Sequence, residues 1–174
     1  MKTKTLVLVA LLFVPVSLSA QENETKETYT YSNITEFGFF TTNIDGVAIE
    51  ATTVHGFAVD NKHHFGLGIG FGASTHIYYT SSYIPVFANY RLYFKPDQKR
   101  SPHVNASLGG LMIKDGGGVY SSLAMGFKAG GFSFSSGLSF MAINQKERGY
   151  YSFEHSDSQW SYPFGIIIKW GFTF

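Results

Sequence analysis

The residues best suited to chemistry in this 174-residue chain are its six histidines, and their spacing argues against a shared task. His63 and His64 are adjacent, so on a strand their rings would point to opposite faces. His55, His76, His103 and His155 show none of the short intervals by which metal ligands usually meet. No cysteine is present, which removes thiolate zinc sites, thiol nucleophiles and disulfide scaffolds. Neither a G-x-S-x-G elbow nor an H-E-x-x-H helix motif occurs. Gly116-Gly117-Gly118 lies between strands without a following helix, so it reads as a loop and not as a phosphate cradle. No catalytic, cofactor-binding or metal-binding residue is expected, and the chain reads as non-enzymatic.

The charges are more informative. Thirteen basic residues stand against 12 acidic ones, a formal +1 that gives no electrostatic case for nucleic acid. Charged residues make up 14% of the chain, where soluble domains average about 25%. Aromatics make up 17%, and Gly is abundant at 19 residues. Such a chain must hide apolar surface somewhere other than water.

The elements that would position these residues follow a period of two. From Trp160 onward, Trp160, Tyr162, Phe164, Ile166, Ile168, Trp170, Phe172 and Phe174 alternate with Ser161, Pro163, Gly165, Ile167, Lys169, Gly171 and Thr173. Successive side chains of a strand point to opposite faces, so one face is apolar and the other small and polar. Phe65, Leu67, Ile69 and Phe71 alternate in the same way with Gly66, Gly68, Gly70 and Gly72. So do Ile84, Val86, Ala88, Tyr90, Leu92 and Phe94 with Pro85, Phe87, Asn89, Arg91 and Tyr93. Further strands fall around 104–112, 122–128 and 132–140, and two less regular ones at about 33–42 and 48–59. Turn-rich breaks at 43–47, 60–64, 76–82, 95–102, 114–118, 129–131 and 144–159 separate eight strands. No run reaches 18 consecutive apolar residues after the N-terminus, which excludes a helical membrane protein.

The face opposite the bulky apolar set is largely Gly, Ser, Ala and Asn, a poor solvent surface but a good narrow interior. Arg91, Lys128 and Lys169 all fall on it. A cation on a lipid face near the midplane would cost about 2–4 kcal/mol, so these three are expected in the lumen. Glu36 and Glu50 join them in the favoured phase of the first two strands, giving a lumen charge network of Glu36, Glu50, Arg91, Lys128 and Lys169. The alternative is that these charges sit near the barrel ends and reach solvent. The expected fold is therefore all-β, an eight-stranded antiparallel up-and-down transmembrane β-barrel without an open pore.

Residues 1–20 read as an address. Lys2 and Lys4 precede an apolar stretch at 5–16 and a small-residue exit at Ser17-Leu18-Ser19-Ala20, the tripartite plan of a cleaved signal peptide. Cleavage is placed after Ala20, leaving residues 21–32 as a periplasmic tail and 33–174 as the barrel. An even strand number puts both termini on one side, the periplasmic one, with 144–159 as the last extracellular loop. Tyr150, Tyr151, Phe153 and His155 in that loop are the candidate binding residues.

Two strands carry a resemblance. The runs Phe65-Gly66-Leu67-Gly68-Ile69-Gly70-Phe71-Gly72 and Ile84-Pro85-Val86-Phe87-Ala88-Asn89-Tyr90-Arg91-Leu92-Tyr93-Phe94 resemble small outer-membrane β-barrel proteins of Bacteroidetes-type bacteria. The C-terminal strand also looks like the general assembly signal of outer-membrane proteins. The resemblance implies that Trp170, Phe172 and Phe174 are read by the barrel-assembly machinery, with periplasmic chaperones and outer-membrane lipid as further partners. It implies a fold and a place in the bacterial outer membrane more than a reaction, and the expected reading is a monomeric, non-enzymatic barrel with a structural or surface-interaction role and no cofactor. Two alternatives stay open, an outer-leaflet lipid-modifying enzyme and a narrow solute channel. The lipid A deacylase group uses a membrane-facing His followed two residues on by a Ser, and none of the strand histidines has a Ser at that position.

Overall fold

A computed structural model describes residues 28–43, 46–76, 79–114, 116–146 and 158–174. The alternating segments form strands β1 (Tyr29–Thr41), β2 (Val47–Val59), β3 (His63–His76), β4 (Tyr79–Tyr93), β5 (Arg100–Ile113), β6 (Gly116–Ala129), β7 (Phe132–Lys146), β8 (Ser158–Ser161) and β9 (Phe164–Thr173). Each neighbouring pair is antiparallel, and the pairings of β6 with β7 and of β9 with both β1 and β7 close the sheet on itself. Strands β8 and β9 both pair with β7 and make up one position in the wall. Pro163 separates them, since it has no N–H for the ladder, yet its carbonyl still accepts from Met141 N at 2.9 Å. The fold is a closed, eight-stranded antiparallel β-barrel.

Register is set at the end of the barrel that carries the C-terminus and the first residue of β1, here the terminal end. Asp60 and Asn61 both lie in the left-handed region, with φ 51° and 53°, and Lys62 N closes the turn onto Val59 O at 3.0 Å. Two such residues give the hairpin turn whose twist matches the strands. Gly130 does similar work between β6 and β7 with φ 64°. The longer connection at 94–99 is tied down by Lys95 N on Ser101 Oγ at 3.0 Å and Gly130 N on Lys99 O at 2.8 Å.

Several strands outrun the sequence pattern. β1 starts at Tyr29 and not at 33, so its first residues belong to the wall and not to a tail, and Tyr29 registers with Val59. β4 begins at Tyr79, β5 at Arg100 and β6 at Gly116, while β7 runs to Lys146 and β8 begins at Ser158. The ladder is built from backbone groups, so it continues where side-chain alternation lapses, as along Gly116-Gly117-Gly118.

The two faces differ as alternation requires. Leu67, Met125, Leu138, Ile166 and Trp170 are exposed on the outside, together with most of the other large apolar residues of the strands. Ser32, Glu36, Glu50, Thr52, Asn89, Arg91, Asn105, Ser107, Ser133, Ser135 and Lys169 are buried inside. The interior is nonetheless less uniformly small than the sequence pattern suggests. Ile34, Phe40, Val54, Tyr83, Phe87, Tyr120, Met141 and Ile167 pack together inside the wall. The glycines of β3 make room for them: a Cβ on Gly68 would lie 2.4 Å from the Phe87 ring, and one on Gly72 2.1 Å from that of Tyr83.

Candidate functional site

The interior charges form two groups at different heights. Glu50 on β2 faces Lys169 on β9, with Gly38 of β1 between them in register with both. A Cβ on Gly38 would already touch Lys169 Cγ at 3.4 Å, so the glycine leaves the path along which the lysine reaches over β1. Lys169 Nζ lies 3.2 Å from Glu50 Oε1. Tyr120 Oη of β6 donates to the same oxygen at 3.0 Å, and Tyr83 Oη of β4 donates to Oε2 at 3.4 Å. Lys169 Nζ also donates to Tyr120 Oη at 3.2 Å. Four strands thus meet at one carboxylate, and every member is buried.

The second group lies nearer the terminal end. Arg91 of β4 spans the lumen, and its Nη2 donates to Glu36 Oε1 of β1 at 2.5 Å. Gly171, the β9 partner of Glu36, is again the residue that leaves room, since a Cβ there would lie 2.8 Å from Glu36 Cγ. A buried charge is tolerable only when paired, and each of these has an opposite charge in contact. Around Arg91 stand His64, Asn105, Tyr93 and His103, placed by direct register of β3, β4 and β5. Lys128 is half-buried, with its ammonium 4.9 Å from the centre of the Tyr93 ring.

The interior therefore brings together Glu36 with Arg91 and Glu50 with Lys169, while Lys128 meets an aromatic face. Trp170, Phe172 and Phe174 point outward at the terminal end. Phe174 remains in the ladder through reciprocal backbone bonds with Asn33 of 2.9 and 3.1 Å. Tyr150, Tyr151, Phe153 and His155, like residues 1–20, lie outside the described residues.

The sequence pattern did not single out Tyr83, Tyr120, His64 or His103 as members of the interior groups. Counting back by twos from Ser122 would have put Tyr120 inside, and counting on from Arg91 puts Tyr93 beside it. On the outer face, Tyr31 Oη lies 2.7 Å from His55 Nδ1, with Asn33 and Thr53 completing a polar cluster. His63 Nδ1 meets Tyr90 Oη at 2.8 Å. Both histidines are in strand segments near the terminal end, where rings with a polar tip suit a membrane–water boundary. Among the described residues, no three His, Cys, Asp or Glu side chains gather as a metal site.

No family model matches the chain, and no curated protein matches it. Solved structures do. The N-terminal β-barrel domain of Pseudomonas aeruginosa OprF matches at 13% identity with a TM-score of 0.49, covering 84% of this chain and 100% of that one. Neisserial surface protein A matches at 9% identity with a TM-score of 0.51, covering 84% of this chain and 97% of that one. At such identity the likeness of the second concerns the fold alone.

Proposed function

We propose that this chain is a non-enzymatic β-barrel of the bacterial outer membrane, with a structural or surface-interaction role carried by its loops. The observation behind the proposal is the inversion of faces: large apolar side chains ring the outside of a closed sheet, while paired charges sit within. Water would not tolerate that exterior, and a bilayer requires it. A closed wall leaves no free sheet edge to be satisfied in hydrocarbon. The resemblance of the β3–β4 segment to barrels of Bacteroidetes-type bacteria supports the same reading, as does the signal-like N-terminus.

In this reading the terminal end faces the periplasm and the assembly machinery reads Trp170, Phe172 and Phe174. The segment at 144–159 is the longest loop on the opposite, extracellular side. Tyr150, Tyr151, Phe153 and His155 are its candidate contacts, since loops on a rigid scaffold commonly carry recognition. A lumen crossed by two ion pairs and filled by Phe40, Phe87 and Tyr120 favours a plug over a conduit.

The test is electrophoretic mobility of unboiled against boiled protein after insertion into lipid vesicles, joined to planar-bilayer recording. Different mobilities with no steady conductance are expected. Identical mobilities would remove the barrel from the membrane, a steady unitary conductance would make it a channel, and hydrolysis of purified lipid A would make it an enzyme.

A further inference from the structure

The two interior groups differ in how completely their hydrogen bonds are made. Around Arg91, a set of buried polar atoms finds no hydrogen-bond partner among the described residues: Nε and Nη1 of Arg91, both ring nitrogens of His64, both of His103, and the Tyr93 hydroxyl. Arg91, His64 and His103 are 0%, 1% and 1% exposed, so bulk water does not account for them. Leaving such groups unsatisfied costs about 1–3 kcal/mol each, and more for a charged one. Several unmatched polar groups in one place, the guanidinium N–H donors foremost, are better explained by a shared ligand than by chance.

They are in one place because of the register. His64 is directly opposite Arg91, and Tyr93, two residues along from Arg91, is directly opposite His103. The Tyr93 and His103 rings lie 5.5 Å apart. The Tyr93 hydroxyl lies beside the guanidinium, and the His64 ring beside the Ser32 backbone, each at the outer limit of a hydrogen bond. Alternate residues on neighbouring strands share a face, so these side chains all enter the same part of the lumen.

The sign of the ligand follows from charge and donor type. Glu36 neutralises one edge of Arg91 through Nη2, and Nε and Nη1 remain. Lys128 adds a second positive charge beside Tyr93, leaving the group with one positive charge in excess of its carboxylate. A neutral imidazole carries one N–H in either tautomer, so His103 offers a free donor, while the N–H of His64 is one the ligand would share with the Ser32 backbone. The fixed guanidinium beside His64 repels a metal cation and attracts an anion. Charge-assisted bonds in a low-dielectric interior are the strong ones.

We propose that the terminal-end lumen binds a small inorganic anion of the halide class, held by Arg91 Nε and Nη1 with His64, His103 and Tyr93 as further donors. Lys128 stands on the terminal-end side of the group and draws the anion in. Glu36 on the other edge of the guanidinium keeps Arg91 oriented for it.

Crystals of the full barrel grown in bromide in place of chloride test the proposal by anomalous scattering. The temperature of the boiled-type mobility transition, titrated with bromide against gluconate at constant ionic strength, is the second readout. An anomalous peak within hydrogen-bond distance of Arg91 and an imidazole is expected, with a saturable rise in transition temperature. The rise should disappear in the variant H64L/H103L, which keeps the Arg91–Glu36 pair. Absence of a peak at Arg91, meaning water only, would overturn the proposal. So would peaks confined to the surface, an adventitious ion only, or a temperature rise unchanged in the variant. Should the variant fail to fold, the peak and the titration of the natural chain still decide.

Discussion

Glu50 and Glu36 occupy the same lumen, on adjacent strands and facing the same way, but their surroundings differ. Glu50 receives Lys169, Tyr120 and Tyr83, each from a different strand, and the lysine and Tyr120 also bond to each other. Glu36 receives Arg91, whose Nε and Nη1, like the neighbouring imidazoles, make no close hydrogen bond among the described residues. The first group behaves as a lock: each member is bonded to another, and together they hold β2, β4, β6 and β9 in register. The second holds β1 to β4 and keeps donors in reserve. A buried network adds most to rigidity when every member is satisfied, and spare capacity is where a ligand can act.

The largest effect is expected from the lock. Glu50→Ala leaves Lys169 buried without its counter-ion, a loss of about 3–5 kcal/mol for a broken buried pair. The temperature at which the unboiled form is lost on a gel should fall sharply. The double variant Glu50→Leu with Lys169→Met should recover most of the loss, because paired removal strands no charge. A double variant as weak as the single one would break the comparison at its base.

Arg91→Ala comes next. It strands Glu36 in the same way, but takes one bonded partner from that carboxylate, whereas Glu50→Ala removes the shared partner of Lys169, Tyr120 and Tyr83. The fall should be smaller than for Glu50→Ala, and the same gel series measures both. A larger fall would reverse the roles of the two groups.

Steric room is the third term. Gly68→Ala places a Cβ within 2.4 Å of the Phe87 ring, and overpacking of this kind costs about 1–3 kcal/mol. Phe87→Leu in the same chain should restore part of the transition temperature. If Gly68→Ala alone is silent, the glycine run is not there to house the β4 rings.

The smallest effect calibrates the rest. Lys62 sits exposed directly after the two-residue turn, where its backbone is engaged by Val59 O and Tyr93 N. Lys62→Ala should stay within about 0.5 kcal/mol of the natural chain.

How much of this was legible in the sequence divides along the same line. The sidedness of Arg91 and Lys169 can be read from alternation alone, because the side-chain period is two and each sits among small residues. Their partners cannot. Glu36 and Arg91 are 55 positions apart on strands that are not neighbours, and their meeting depends on the stagger of the closed wall. That stagger follows from turns such as Asp60-Asn61, whose left-handed backbone is only weakly implied by residue type. Strand ends were obscured for a different reason: backbone ladders continue through Gly116-Gly117-Gly118, where no side chain reports a face. The aromatic filling at Tyr83 and Tyr120 is masked because rings occur on both faces, so ring type alone gives no side, and only the strand alternation and the glycines opposite do.

The central claim is that alternate residues of one strand meet lipid and lumen. The chain has no cysteine, so single cysteines can be introduced along β6 without background. Nitroxide labels at positions 122 to 127, in vesicles, report collision with dissolved oxygen and with a water-soluble nickel chelate. The account predicts high oxygen and low nickel accessibility at Leu123, Met125 and Phe127, with low oxygen accessibility at Ser122, Ala124 and Gly126. Uniform accessibility along the strand, or high nickel accessibility at Leu123 and Met125, would contradict it.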